Sequence, residues 1–430
     1  METNVHADNS RPPRHSAAIA AVQVKSAHSI RRRLWRRLAK QLAAVILLMC
    51  AIGMQPGLAL EQAGERHPHT LPAQAPAGAR VQVAATPVLE LRSAPRLEDI
   101  IPVLSAMRVV LVGETHDRYD HHQTQLEIIR RLHALNPRLA IGMEMFQQPF
   151  QDILDGYIAG ALDEQEMLRG TGYYRRWKHD FRLYAPILAY AREHGLPVIA
   201  LNLPVDLTDR ISRVGIDNLT AAEREQLPAD IDYSDTAYAQ RLRDIYERHP
   251  GSAGRGFEGF LEVQLAWDEG MAERAAGYLE AHPDKRMVLL AGSGHLAYGS
   301  GIPQRLQRRL GDDMAIILND WHGGLRPGLA DYLLLPQQQA LPPAGKLGAL
   351  LEEREDRLLI TDCLADSPCK QAGLRAGDRI LTLNDLPVNE LADLRLIMWQ
   401  KKPGDRVTLA LQRRNWLGNE RTLRQELVLY

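Results

Sequence analysis

Apolar residues fall into two rhythms along the middle of the chain. Short unbroken runs occupy residues 108–113, 139–143, 198–202, 286–292 and 315–318. Runs of this length, rich in Val, Ile and Leu and bounded by Gly, Pro or polar residues, predict buried strands. Between them the spacing becomes helical. Leu126, Ile129, Leu132 and Leu135 mark one face of a helix over 121–135, which Asn136-Pro137 stops. A second helix covers 184–194 and closes at Gly195-Leu196-Pro197. The polar stretch 205–283 reads as helical with insertions. Strands alternating with helices predict an α/β domain on a mainly parallel sheet, flanked by helices on both faces. Ligands of such sheets sit beyond the carboxyl ends of the strands.

The pattern changes towards both ends. Residues 336–345 are rich in Pro and Gln and read as a linker. Residues 346–430 carry short strands and Gly/Asp turns, which predicts a small β-rich second domain. Near the start, Arg31, Arg32, Arg33, Arg36, Arg37 and Lys40 crowd ahead of the apolar run 42–54. That run is shorter than the about 20 residues a membrane-spanning helix needs. With small residues following, it predicts a secretory signal cleaved after Ala59, or an N-terminal anchor. Cys50 would be the acylated residue of a lipoprotein, but Met49 stands where such signals carry a small residue. Residues 60–88 are Ala/Pro-rich without period and read as a tether, with His67 and His69 solvated inside it. The expected organisation is signal or anchor 1–59, linker 60–88, α/β domain 89–335, linker 336–345 and β-rich domain 346–430. The expected location is the periplasm, or the envelope membrane through the N-terminal segment.

Bulk properties narrow the function classes. The 430 residues are 45% hydrophobic with a formal net charge of −1. That supports real cores and supplies no overall field for nucleic acid. Past the expected cleavage only Cys363 and Cys369 remain. In an exported protein they are either a disulfide or two small buried residues, and their spacing matches no zinc motif.

The strongest chemical signal is positional. The first predicted strand runs into Gly113-Glu114-Thr115-His116, and the fourth into Gly292-Ser293-Gly294-His295. Each places a His just past a strand end after a Gly that permits a sharp turn. The second strand ends at Gly142-Met143-Glu144. In a parallel sheet Glu114, His116, Glu144 and His295 would project from one edge. Two imidazoles and two carboxylates suit a divalent metal, or an acid–base pair acting on water. Asp320 and His322, after the fifth strand, are further candidates for that edge.

Residues 112–116, 142–146, 184–187 with 196–202, and above all 292–303 resemble the ChaN haem-binding proteins of the Tiki/TraB/erythromycin-esterase superfamily. The resemblance spans roughly residues 90 to 335, and Asp268 with Met271 and Ala272 also matches a helix of the family. It implies envelope haem or iron uptake, with haem held through tyrosine at a dimer interface, hence a homodimer. Haem needs an axial ligand, an apolar slot and cations for its propionates, and tyrosinate is an established iron ligand. Candidate ligands are Tyr173, Tyr174, Tyr184 and Tyr298; Arg175, Arg176 and Arg182 are candidate propionate partners. The related Tiki proteins imply the alternative, a metal-dependent hydrolase or protease using the two Gly-x-x-His motifs. There Glu114, His116, Glu144 and His295 would serve as catalytic and metal-binding residues.

Residues 346–430 resemble a PDZ domain, through Lys346-Leu-Gly-Ala349, the run Ala372-Gly-Leu-Arg-Ala-Gly-Asp-Arg-Ile380, Leu383-Asn384 and Pro403-Gly-Asp405. Such domains add an extended peptide to a sheet edge and hold its terminal carboxylate on backbone N–H groups. The resemblance implies that Leu347, Gly348 and Ala349 form that loop and that Leu394 and Ile397 line the groove. The implied partner is a peptide or protein C-terminus.

Overall fold

The computed structural model describes residues 94–430, apart from 249–253, 312, 322, 356 and 416. The expected signal or anchor, the tether, Cys50 and His322 lie outside the described residues. Helix α1 (Leu97–Ala106) leads into β1 (Val109–Glu114), then α2 (Tyr119–Leu135) and β2 (Leu139–Gln147). Helices α3 (Gln151–Ile158), α4 (Glu164–Thr171), α5 (Tyr173–Arg176) and α6 (Ala185–His194) precede β3 (Val198–Asn202). The long polar stretch resolves into α7 (Val205–Val214), α8 (Thr236–Arg248) and α9 (Gly256–Ala281). Strand β4 (Arg286–Gly292), α10 (Ile302–Leu310), β5 (Met314–Asn319) and β6 (Tyr332–Leu334) complete the α/β domain.

The six strands form one parallel sheet in the order β3-β2-β4-β1-β5-β6. All five predicted strands are present. The three-residue β6 was not expected, because a run so short carries no legible period. The register decides where chemistry goes. Gly113 pairs with Ala291 and Glu114 with Gly292, so the two Gly-x-x-His turns leave the sheet side by side. Strand β2 flanks β4 on its other side.

Alternation along the strands splits the core. Val110, Val112, Ile141, Met143, Val288 and Leu290 face one cluster with residues of α2, α4 and α6. Val109, Leu111, Leu289 and Ala291 face another with residues of α9 and α10. Both faces are covered, which explains strands apolar throughout rather than at every second position.

The second domain contains β7 (Ala349–Arg354), β8 (Arg357–Cys363), β9 (Arg379–Leu383), β10 (Leu386–Pro387), helix α11 (Leu391–Met398), β11 (Arg406–Arg414) and β12 (Glu420–Val428). Its antiparallel sheet runs β12-β11-β9-β8-β7, leaving β7 at an edge. Cys363 and Cys369 are paired in a disulfide, which settles the two readings left open by their spacing. The linker does not leave the domains apart. Ala392, Leu396 and Trp399, in or just past α11, pack against the first core cluster.

Candidate functional site

The adjacent ends of β1, β4 and β2 gather five titratable side chains. His116 Nδ1 lies 2.8 Å from Glu114 Oε1. Glu114 is buried, and Tyr184 donates its hydroxyl to the same oxygen at 2.8 Å. The other carboxylate oxygen accepts from Gln125 at 2.8 Å and lies 3.1 Å from His122 Nδ1. Burial alone would raise this carboxyl, but His122 and the bond to His116 outweigh it and hold it well below its ordinary value. Glu114 is therefore an anionic hub that orients His116.

The second imidazole is held the same way from the other core. His295 Nδ1 lies 2.7 Å from Asp268 Oδ1, on α9. Asp268 is fully buried, and its second oxygen accepts the Tyr238 hydroxyl of α8 at 2.8 Å. The other ring nitrogen faces Glu144 Oε1 at 3.6 Å, an ion-pair rather than a hydrogen-bond distance. Glu144 is anchored through Oε2, which accepts the Gly292 backbone N–H at 2.7 Å. Burial disfavours the imidazolium, but Glu144 and Asp268 together raise His295 above its ordinary value. The site thus joins two carboxylate-oriented imidazoles, one of them favoured as a cation beside Glu144. That is acid–base equipment.

Gly292 lets the halves meet. A Cβ there would lie 3.0 Å from His116 Cε1, 3.2 Å from Nε2 and 3.7 Å from Glu144 Oε2. Over His116 sit Trp177, edge-on with ring centroids 4.8 Å apart, and His179 at 5.2 Å. Burial, then repulsion from His116, pushes His179 down to about 4, so it is neutral near pH 7.

The four residues expected at this edge are all there, and Asp268 joins them. His122, Gln125, Trp177, His179 and Tyr238 were missed. For two of these a signal existed. His122 and Gln125 lie on the stripe that carries Leu126, Ile129 and Leu132, and polar residues on an apolar stripe mark a buried network. Asp320 accepts from Arg118 at 3.4 Å, at the start of α2. Among the described residues, no three His, Cys, Asp or Glu side chains are grouped to hold a metal ion. The carboxylates instead spend their oxygens on ring nitrogens, hydroxyls and backbone N–H groups.

The candidate haem tyrosines separate clearly. Tyr173, Tyr174 and Tyr184 are buried, and burial raises the phenol of each well above its ordinary range. Tyr298 is different. It is half-buried, in the left-handed region at φ 66°, with Trp321 edge-on at 6.3 Å and the Arg241 guanidinium 4.8 Å from its ring centroid. The candidate propionate partners are spoken for. Arg182 pairs with Asp180 and donates to the Pro342 carbonyl, Arg175 pairs with Glu390, and Arg176 donates to the Thr171 carbonyl.

In the second domain Leu347 and Leu394 are buried in its core, and Ile397 packs partly buried against it. Gly348 takes φ 69°, a left-handed turn that glycine adopts without steric cost. Ala349 opens edge strand β7.

Fold and site together define an α/β domain whose strand ends bring together paired imidazoles and carboxylates, joined to a β-rich domain in which β7 is an edge strand. Residues 100–306 match the family described as haem-binding uptake, Tiki superfamily, ChaN, and residues 345–425 match the PDZ domain family. The first region is therefore a ChaN-type domain and the second a PDZ domain. The chain is 24% identical over 228 residues to the Arabidopsis thaliana chloroplastic protein RETICULATA-RELATED 5, covering 47% of this chain and 30% of that one. It is 31% identical over 127 residues to a probable periplasmic serine endoprotease, DegP-like, from Chlamydia trachomatis, covering 29% and 24%. The chain thus spans a third or less of the length of these relatives. A solved structure of Campylobacter jejuni ChaN with cofacially bound haem is 21% identical, with a TM-score of 0.46, covering 56% of this chain and 92% of that one.

Proposed function

We propose that this is an envelope haem-binding protein of the ChaN type, acting in haem or iron uptake, with a PDZ module that binds a peptide or protein C-terminus. The carrying observation is Tyr298 within a ChaN-family domain. Of the four candidate tyrosines it alone is partly exposed, and it has an aromatic wall in Trp321 and a cation in Arg241, whose guanidinium also donates to Ser300. These residues fit haem: a phenolate ligand for ferric iron, a flat apolar contact and a partner for a propionate. The family's dimer-interface mode makes haem-dependent homodimerisation part of the proposal. The envelope location rests on the N-terminal segment; among the described residues, no helix is long and apolar enough to cross a membrane.

Haemin titration of the full chain tests the reading. A tyrosinate-type spectrum is expected for the wild type and for Tyr184→Phe, and its loss for Tyr298→Phe. Absence of any Soret change at micromolar haemin would sink it.

A second reading, hydrolysis, is favoured by one observation: the Asp268–His295 hydrogen bond with Glu144 on the ring's far side. This has the form of an oriented general base or acid. Turnover of chromogenic esters or fluorogenic peptides that disappears in His295→Gln would support it, and no turnover by the wild type would reject it.

A further inference from the structure

Residues 173–182 touch two things at once. On one side Trp177 and His179 roof His116, with ring centroids 4.8 and 5.2 Å away, and Trp177 also stands edge-on to Tyr184. On the other side the same ten residues dock on the PDZ domain at three points. Arg175 Nε donates to Glu390 Oε1 at 2.9 Å, Arg395 donates to the Lys178 carbonyl at 2.8 Å, and Phe181 meets Trp399 edge-on at 5.3 Å. Glu390, Arg395 and Trp399 are the N-cap, a mid-helix residue and the C-cap of α11. Lys178, between the two roof residues, is held at φ 72°, a left-handed conformation costly for a side-chain-bearing residue. Such a conformation persists where surrounding contacts impose it, and the bond from Arg395 falls on this residue's own carbonyl.

We propose that residues 173–182 form a strap whose position over His116 is set by the PDZ helix α11, so that the PDZ domain controls access to the two-histidine site. The route is short and physical. The Leu391 N–H donates to Glu353 Oε1 at 2.7 Å, tying the N-terminus of α11 to edge strand β7. Helix α11 in turn holds the strap, and the strap covers His116. A peptide adding to the β7 edge would lie along the same helix. Any shift of α11 that lengthens its three contacts frees Lys178 to relax and lifts the indole from the imidazole. The linker at 336–345 therefore joins two bodies whose packing is part of the site.

The test reads His116 directly. The full chain and the double variant Glu390→Ala/Arg395→Ala are treated with diethyl pyrocarbonate, and modification is followed peptide by peptide. Arg395 is exposed and Glu390 partly so, and neither side chain belongs to a core cluster. His116 and His179 should react about two- to fivefold faster in the variant, the population shift that one or two exposed polar contacts support. His133, packed on Tyr190 at the far end of α2, should not change. Trp399→Ala, which removes the aromatic contact with Phe181 and the indole's packing on the first core, should act in the same direction. Unchanged His116 rates in both variants would overturn the proposal. So would an equal rise at His133, which would make the effect global rather than local to the strap.

Discussion

His295 Nδ1 stands 2.7 Å from Asp268 Oδ1, and this one bond joins the end of β4 to the middle of a 26-residue helix. It fixes the ring so that its other nitrogen faces Glu144. It also closes the fold there, since Tyr238 of α8 holds the second Asp268 oxygen. Site and scaffold are one network, and this governs how it should respond to substitution.

Asp268→Asn keeps the shape and removes the charge. Burial opposes the His295 imidazolium, and Asp268 and Glu144 overcome that opposition. With Asp268 neutralised, the His295 titration followed by NMR should move down. A folded-state pKa above the unfolded 6.5 means that charged His295 contributes fully below about 6.5 and loses that contribution as pH rises through the folded value. The stability gap between wild type and variant in urea should therefore be widest in mild acid and narrow at alkaline pH. A gap independent of pH would show that His295 titrates without help from Asp268.

Glu114→Gln should be costly. The carboxylate accepts hydrogen bonds from Tyr184 and Gln125 and lies 2.8 Å from His116 Nδ1, and an amide would point N–H groups back at donors. Removing a buried charge from its partners should destabilise by about 2–4 kcal/mol at neutral pH. Its pKa is depressed, so its stabilisation is present above about 4.5 and lost as pH falls towards the lower folded value. The variant should lose less stability than the wild type on acidification through that window. Chemical unfolding across pH 2–7 would measure both effects.

Two glycines should separate stability from site geometry. At Gly301, φ is 65° and a Cβ would come 2.4 Å from the His295 carbonyl oxygen. Backbone cannot move aside cheaply, so Gly301→Ala should cost about 1–3 kcal/mol or more. At Gly292 the nearest obstacle is the His116 ring at 3.0 Å, the end of a side chain. Gly292→Ala should fold with little loss but displace His116 and change its NMR shift. Comparable melting temperatures for the two variants would contradict this ranking.

The domain junction should be visible calorimetrically. Phe181 against Trp399, with Ala392 and Leu396 beside them, makes the PDZ helix part of the first core. The wild type should melt as one coupled unit, whereas Trp399→Ala should split or broaden the transition by weakening the coupling between domains. Two well-separated transitions already in the wild type would show that the packing is energetically minor.

Much of this was legible in the sequence because its causes are local. The five main strands announce themselves as short apolar runs, since a sheet covered on both faces needs apolar side chains at every position. The Gly-x-x-His turns were legible because a strand end, a glycine and a histidine in fixed order constrain one another within a few residues. The PDZ domain was legible for the same reason, through its dense Gly/Asp turn run. What the sequence could not decide was pairing across distance. Asp268 is 27 residues from His295, and Tyr238 a further 30 away; nothing local makes one prefer the other. Tyr173, Tyr174, Tyr184 and Tyr298 look alike as letters, yet only packing buries three and leaves the fourth half-open. The strap's two faces depend on a second domain some 210 residues on, through Arg175 and Glu390. The sequence by itself determined where the five main strands form and which Gly-x-x-His turns follow two of them, although β2 runs on to Gln147, past the residue 143 at which its apolar run stops. Only the tertiary structure decided which strands are neighbours, and hence which side chains share a site, because burial and hydrogen bonding act between parts of the chain that meet only after it has folded.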